Sequence, residues 1–73
     1  MKIKLNGEIK TIGHSNEEFF LEGVITHLEY QPQLIVVELN GVIINPKDWS
    51  DTKIKQGDSL EVVTIVGGGS YIL

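Results

Sequence analysis

The sequence has no cysteine, no arginine and no alanine among its 73 residues. Without cysteine, disulfide bonds, thiolate metal sites and a cysteine nucleophile are excluded. Without arginine, and with a net charge of −4, the chain lacks the basic surface typical of nucleic-acid-binding proteins. No apolar run approaches the roughly 20 residues of a membrane span, and the N-terminus lacks the apolar core of a signal peptide. We therefore expect a cytoplasmic protein that acts on neither nucleic acid nor membranes.

The composition favours one small domain made mostly of β-sheet. The length allows a single hydrophobic core, and valine, isoleucine and threonine together supply 21 of the 73 residues. These β-branched residues fit pleated strands better than helices. An acidic domain of this size is suited to a basic surface on a partner protein.

The first hairpin has two possible registers. Alternation of Ile3 and Leu5 with lysines predicts a strand, and Asn6-Gly7 predicts a tight turn. A two-residue turn sets Leu5 opposite Glu8, whereas a three-residue loop pairs Leu5 with Ile9 and keeps one apolar face. We expect the three-residue loop, since a slip of one residue inverts every side chain.

One main helix follows. Ser15 and Glu18 form a capping-box pattern, and Pro32 marks the end of the segment. Between them, a helical apolar stripe predicts a helix of about 13 residues. The members of this stripe are Phe20, Leu21, Val24, Ile25 and Leu28.

The second half of the chain completes a β-grasp. Strands are predicted at 35–39, 42–44 and 59–65, with a turn at Asn40-Gly41. We expect Trp49 to pack over the core beside Ile44 and Ile54. The order ββαβ(β)β, with adjacent and parallel first and last strands, predicts an α+β fold in which one helix covers one face of a mixed sheet.

Alternation also assigns the two faces of that sheet. Leu39, Val62 and Val24 are expected at the centre of the core. The open face is predicted to carry Lys2, Lys4, Val36, Glu38, Glu61, Val63 and Ile65. Because Val63 and Ile65 are apolar and lie just before the tail, we expect them to form a docking patch for a partner.

The remaining candidates for chemistry lie in the tail. His14 and His27 lack a second ligand at useful spacing, so no metal site is predicted. We divide the chain into a domain at 1–66 and a flexible tail at 67–73, which begins with Gly67, Gly68 and Gly69. Three glycines form a thin thread that can enter a narrow catalytic channel of another protein.

The ordered motifs of the chain resemble the ThiS family of thiamin-pathway sulfur carriers, which are ubiquitin-like β-grasp proteins. The motifs that carry the resemblance are Ile3-Lys4-Leu5-Asn6-Gly7-Glu8, Val37-Glu38-Leu39-Asn40-Gly41, Ile44, Pro46, Trp49, Gly57-Asp58 and Val66-Gly67-Gly68-Gly69. The resemblance implies a carrier rather than an enzyme. It implies that the carboxylate of Gly69, next to Gly68, is adenylated and then converted to a thiocarboxylate that supplies sulfur for the thiazole ring.

The resemblance also implies the partners. These are a ThiF-like, E1-like adenylyltransferase that uses ATP and magnesium, a sulfur-donating desulfurase, and a ThiG-like thiazole synthase. The chain itself is expected to bind no cofactor, and Val63, Ile65, Val66 and Gly67 are the predicted partner contacts.

The chain departs from the family pattern in one respect, because Ser70-Tyr71-Ile72-Leu73 follows the glycines. The carrier role therefore needs removal of these four residues. Two alternatives stay open: a carrier similar to the molybdopterin-synthase small subunit, and a β-grasp interaction module whose tail is never processed.

Overall fold

The computed structural model describes residues 1–13 and 18–65. Its strands and helix are β1 (Lys2–Leu5), β2 (Glu8–Thr11), β3 (Phe19–Phe20), α1 (Leu21–His27), β4 (Ile35–Leu39), β5 (Val42–Ile43), β6 (Lys53–Ile54) and β7 (Ser59–Thr64). Two 3₁₀ turns, Pro32–Leu34 and Pro46–Asp48, precede β4 and follow β5.

The strands form a five-stranded sheet and a separate pair. The large sheet has the order β2-β1-β7-β4-β5, and β3 pairs with β6. β1 and β7 run parallel, and the other pairs are antiparallel. The structure therefore confirms the predicted α+β fold, with the first and last strands adjacent and parallel and one helix against a mixed sheet.

Both Asn-Gly pairs form two-residue turns. Asn6 and Gly7 have φ values of 50° and 85°, and Asn40 and Gly41 have 50° and 86°. Positive φ at both central residues is the pattern of a type I′ turn, whose twist matches that of the flanking strands. Leu5 consequently lies opposite Glu8, so the predicted three-residue loop is wrong. In the observed register Ile9 lies on the open face of the sheet, where it is 68% exposed.

The helix is shorter at its start than the capping pattern predicts. It spans seven residues and begins at Leu21, with no side-chain cap at Phe20. Phe19 and Phe20 are instead extended and pair with β6. The Phe19 ring lies where a side chain on Gly13 would have to be, so this close approach requires glycine. Ser15 lies outside the described residues, but the extended backbone at 19–20 contradicts a helix that begins there.

The helix also ends well before Pro32. Glu29 has a φ of 65°, and its N–H donates to the Thr26 carbonyl at 3.0 Å, while the Tyr30 N–H donates to the Ile25 carbonyl at 3.2 Å. These two bonds make a Schellman motif, which satisfies carbonyls that the last turn leaves free.

Among the described residues, no helix has the length and apolar character needed to cross a membrane.

The core lies between α1 and one face of the large sheet. Trp49 is buried, and its Nε1 donates to the Ile44 carbonyl at 3.1 Å, which confirms the predicted position over the core. Val24 and Val62 are buried as predicted, but Leu39 is only half-buried, so its predicted central place is wrong. Leu39 is the last residue of β4, next to the Asn40-Gly41 turn, and it packs at the margin of the core. The most deeply buried side chains are Ile3, Leu21, Val24, Ile25, Val37 and Leu60.

Candidate functional site

The middle strand of the large sheet leads directly into the tail. β7 lies between β1 and β4, and the Ile65 N–H donates to the Leu34 carbonyl at 2.6 Å just after the strand ends. The tail thus starts from the best supported strand of the sheet. Val66, Gly67, Gly68 and Gly69 lie outside the described residues, so their predicted roles stay predictions.

Both turn asparagines also hold β7. Asn6 Oδ1 accepts from the Val62 N–H at 2.8 Å, and Asn40 Oδ1 accepts from the Ser59 N–H at 2.9 Å. Each asparagine therefore forms a turn and satisfies a backbone donor of β7 that its neighbouring strand does not reach. The Asn-Gly pattern predicted only the turns, because the N–H groups that these side chains bind, those of Val62 and Ser59, are far away in sequence.

Asp58 completes this support at the start of β7. It is one of the few polar side chains in the described residues that are buried. Its carboxylate accepts from the Asn40 amide at 3.1 Å and from the Lys55 N–H at 2.7 Å. A buried carboxylate needs such partners, because an unpaired one is costly to remove from water. The Gly57-Asp58 motif is therefore explained by strand support.

The open face of the sheet carries an apolar patch, which we define as Val36, Ile43 and Val63. Val63 is 46% exposed and lies opposite Val36, which is half-buried. Ile43 is 67% exposed and lies opposite Glu38, in the neighbouring row of the same face. Ile65, half-buried, follows this patch. The predicted open-face assignment is therefore confirmed for Val63. Ile65 lies beyond the end of β7, and the predicted roles of both residues in binding stay predictions.

Sequence reasoning missed two exposed apolar residues of this face. Ile43 belongs to it because the Asn40-Gly41 turn sets β5 in register with β4. Ile9 belongs to it because it lies opposite Lys4, whose side chain faces away from the helix. Two-residue loops at both Asn-Gly pairs were the signal that could have found both residues.

Two acidic residues meet beside the apolar patch. Glu38 lies directly opposite Glu61 on neighbouring strands. Like charges in this arrangement destabilise a sheet. In the part of the chain that the structure describes, the only ion pair joins Lys53 and Glu18 at 3.2 Å, away from this face. The acidic pair therefore has no basic partner within the described residues, and it suits a basic side chain from another protein.

The histidines and acids do not form a metal site in the described part of the chain. His27 is exposed on α1, and no group of three or more potential ligands is found across residues 1–13 and 18–65. His14 lies outside those residues.

A mixed five-stranded sheet covered by one helix, with a tail leaving its middle strand, defines a small ubiquitin-like β-grasp protein. The model of the ThiS family matches residues 3–69. The chain therefore belongs to the ThiS family, and the match ends on the third glycine of the tail.

Solved structures agree with this assignment. The chain is similar to the crystal structure of the thiamine biosynthesis protein ThiS from Geobacter metallireducens, with 28% identity and a TM-score of 0.80. That alignment covers 94% of this chain and all of the other. A solution structure of a thiamine biosynthesis protein from the same organism gives a TM-score of 0.78 at 27% identity, over 100% of this chain and 94% of that one.

Sequence relatives fall into two kinds. The chain is 33% identical over 66 residues to the Uncharacterized protein ycf40 of Trieres chinensis. That alignment covers 82% of this chain and 90% of the other protein. It is also 33% identical over 72 residues to a thiazole synthase of Magnetococcus marinus, over 97% of this chain. The chain spans only 21% of the length of that thiazole synthase.

Proposed function

We propose that this protein is a sulfur carrier of thiamine biosynthesis whose working group is the carboxylate of Gly69. The observation that carries this proposal is the family match, which extends through the sheet and ends at Gly69. The structure holds β7 between β1 and β4, and in the sequence three glycines follow shortly after this strand. This arrangement suits a protein that is itself the substrate of its partners.

The chemistry needs a free terminal carboxylate. An ionised carboxylate is a poor acyl donor, because it has no good leaving group. Attack of a Gly69 carboxylate oxygen on the α-phosphate of ATP forms an acyl-adenylate and releases pyrophosphate. A persulfide of the sulfur donor then attacks the acyl carbon, and AMP leaves, so that an acyl disulfide forms. A thiol attacks the donor-side sulfur of that disulfide, which releases the thiocarboxylate and leaves a disulfide on the donor; hydrosulfide as the attacking group would give the thiocarboxylate in one step. ATP and magnesium are supplied by the activating partner, which we propose to be an E1-like adenylyltransferase.

The carrier role therefore requires cleavage after Gly69. The sequence continues through Ser70 to Leu73, and the resulting amide bond leaves Gly69 without a free carboxylate. Glycine has no side chain to hinder the attacking groups, whereas the carboxylate of a branched residue would be more crowded. We expect a peptidase to release residues 70–73 before activation.

The open face supplies the docking surface in this proposal. Val63 lies near the end of β7, just before the tail, so a partner that covers this residue and its neighbours in the patch is placed to receive the glycines. Glu38 and Glu61 favour a basic side chain on that partner. The surface is small, which is appropriate for a carrier that must leave one partner and bind the next.

Thiazole synthase is the proposed acceptor of the sulfur. A segment similar to this chain makes up 21% of the thiazole synthase of Magnetococcus marinus. Linking two proteins in one polypeptide raises the effective concentration of each for the other. That benefit is expected where the two parts work together, and it supports the same partnership for this chain. A desulfurase is the proposed source of the sulfur.

Activation by chains of three lengths tests the proposal. The full chain, a chain ending at Gly69 and a chain ending at Gly68 are each mixed with the E1-like partner and ATP, and pyrophosphate release is followed. We expect rapid release only from the chain ending at Gly69. The matched control for the terminal residue is the substitution Gly69→Ala in the chain that ends at position 69.

Two outcomes would contradict the proposal. Equal release from the full chain, with no cleavage detected by mass, would show that a terminal glycine is unnecessary. Absence of release from all three chains, with a partner that activates a known ThiS protein, would favour a β-grasp interaction module.

A further inference from the structure

β2 is an outermost strand of the large sheet, and its outer side pairs with no strand within residues 1–13 and 18–65. The Ile12 N–H donates to the Met1 carbonyl at 2.8 Å, and the Met1 amino group donates to the Ile12 carbonyl at 3.0 Å. Because backbone groups alternate in direction along an antiparallel strand, the even-numbered residues of this segment face β1. The N–H and C=O groups of Ile9 and Thr11 therefore point outward, where another strand can bind them.

This outer edge carries a large apolar side chain. Ile9 is 68% exposed, the highest value among the large apolar side chains of the described residues. It lies apart from the apolar patch, because it is opposite Lys4 on β1, and β7 is one strand further into the sheet. A partner that covers Val63 therefore does not account for Ile9. An exposed isoleucine beside outward-facing backbone groups is suited to the addition of a strand.

The charges of β2 are complementary to those of a second, antiparallel β2. Glu8 and Lys10 are both exposed and flank Ile9 in the sequence. When Ile9 pairs with Ile9 of a second copy, Glu8 of each copy lies opposite Lys10 of the other. The two isoleucines then meet on the open face, and two opposite-charge pairs form on the other face. Apolar and opposite-charge pairs of this kind stabilise antiparallel strands.

The other symmetric registers lack this match. Main-chain hydrogen bonds form only where outward-facing residues pair with each other. Pairing of Ile9 with Thr11 sets Lys10 opposite Lys10 of the other copy, and like charges in that position destabilise the pair. Pairing of Thr11 with Thr11 sets Lys10 opposite Ile12 and leaves Glu8 without a lysine. The charge pattern therefore selects the register in which Ile9 pairs with itself.

We propose that two copies of this chain associate by antiparallel pairing of their β2 strands, with the two Ile9 residues beside the two-fold axis. Both copies use the same edge, so the association closes at two molecules. The two five-stranded sheets become one continuous sheet, and both helices lie on the same side of it. Each copy contributes one short strand to the contact, so the association is reversible and depends on concentration.

This dimer keeps the two proposed docking surfaces apart. β7 is the second strand inward from β2, so the β7 strands of the two copies are separated by five spacings of about 4.8 Å, or about 24 Å. The two-fold axis makes these strands run in opposite directions, and they end on opposite sides of the dimer. Each copy can therefore bind a partner of its own. The inference does not depend on the proposed carrier function.

Charge exchange between Glu8 and Lys10 tests the pairing. Glu8→Lys and Lys10→Glu each place like charges opposite each other, and each should weaken the association about tenfold. An equimolar mixture of these two variants restores both opposite-charge pairs, so it should form heterodimers about as readily as the parent forms homodimers. The double variant should also associate like the parent. Sedimentation equilibrium at low salt, at protein concentrations from about 0.02 to 1 mM, measures each association.

A control and an NMR experiment make the test specific. Lys47→Glu changes the net charge by the same amount as Lys10→Glu, but Lys47 is exposed in the 3₁₀ turn after β5, so it should leave the association unchanged. Thermal unfolding checks that each variant is folded. In a mixture of isotope-labelled and unlabelled protein, we expect an NOE between the Hα atoms of Glu8 and Lys10 of different copies, because residues in a non-hydrogen-bonded pair lie closest.

Failure at any of these steps would overturn the inference. The mass of a monomer at every concentration would show that the edge of β2 does not pair. Equal weakening by Lys47→Glu and Lys10→Glu would assign the association to net charge. A mixture of the two single variants that does not associate, or an NOE between the Lys10 Hα atoms of two copies, would exclude the proposed register.

Discussion

The two faces of the large sheet differ in how much apolar surface they leave in water. On the helix side, Val37, Ile3 and Leu60 are at most 1% exposed. On the open side, Val63 is 46% exposed and Ile43 is 67% exposed. A small domain has little stability to spare, so large apolar side chains left in water are better explained by binding than by folding. With the proposed docking role of the open face, the comparison predicts that stability and partner recognition can be altered separately.

The largest effect is expected on the helix side, where Leu60 and Leu39 make a matched pair. They lie opposite each other on β7 and β4, but Leu60 is buried and Leu39 only half-buried. Leu60→Ala should lower the free energy of unfolding by about 2–5 kcal/mol. Leu39→Ala should cost less, since part of its side chain is already in water. Urea unfolding of both variants checks this, and equal losses would contradict the burial that separates the two leucines.

The asparagine supports of β7 should give the next largest effect. Asn40→Ala removes a residue suited to positive φ and leaves the Ser59 N–H without its acceptor, so it should cost about 1–3 kcal/mol. Asn40→Gly keeps the backbone conformation and isolates the lost hydrogen bonds. The same two substitutions at Asn6 provide the comparison for the first turn. If the Asn→Gly variants at both positions are as stable as the parent protein in thermal unfolding, the side-chain hydrogen bonds to β7 contribute nothing to stability.

A substitution on the open face should alter activation with little effect on folding. Val63→Asp places a charge in the proposed docking surface and should reduce activation by the E1-like partner about tenfold. Its Tm should stay close to that of the parent, because nearly half of Val63 is already in water. Ile9→Asp adds the same charge at the far edge of the face and is the control. Unchanged activation kinetics in Val63→Asp would remove the docking role of this patch.

The smallest effect on the free energy of unfolding is expected from substitution in the acidic pair, Glu38 and Glu61. This substitution should stabilise the protein, whereas those on the helix side and in the turns destabilise it. Glu61→Gln should raise the free energy of unfolding by about 0.2–1 kcal/mol, because it relieves repulsion by Glu38. It should also slow association with a basic partner. Adding Glu38→Gln should bring little further gain, and a double-mutant cycle measures this coupling. Additive gains at low salt would show that the two carboxylates do not interact.

Much of the fold was predictable from local patterns. Alternation gave the five strands of the large sheet, and both Asn-Gly pairs gave turns, whereas β3 and β6 were not predicted as strands. The register of the first hairpin was predicted wrongly, because the prediction gave more weight to keeping Leu5 and Ile9 on one face than to the geometry of the turn. The result shows that backbone twist at Asn6-Gly7 decides the register, even when it leaves Ile9 in water.

Long-range contacts explain the other misses. The helix was predicted too long because Phe20 fits the helical stripe and Ser15 and Glu18 form a capping-box pattern. Phe19 and Phe20 instead pair with β6, far along the chain. The bonds from Asn6 and Asn40 to β7 likewise join residues that no local pattern connects. Of the predicted site residues, Val63 could be assigned by alternation. The roles of Val66 and Gly67 to Gly69 depend on the family resemblance.

The most direct test of the carrier account is the mass of the protein purified from its native host. Cells that lack active thiazole synthase should be used, so that the loaded carrier accumulates. The account predicts a chain that ends at Gly69 and in which one oxygen of the terminal carboxylate is replaced by sulfur. A chain that retains Ser70 to Leu73, with no sulfur at the glycine, would contradict it.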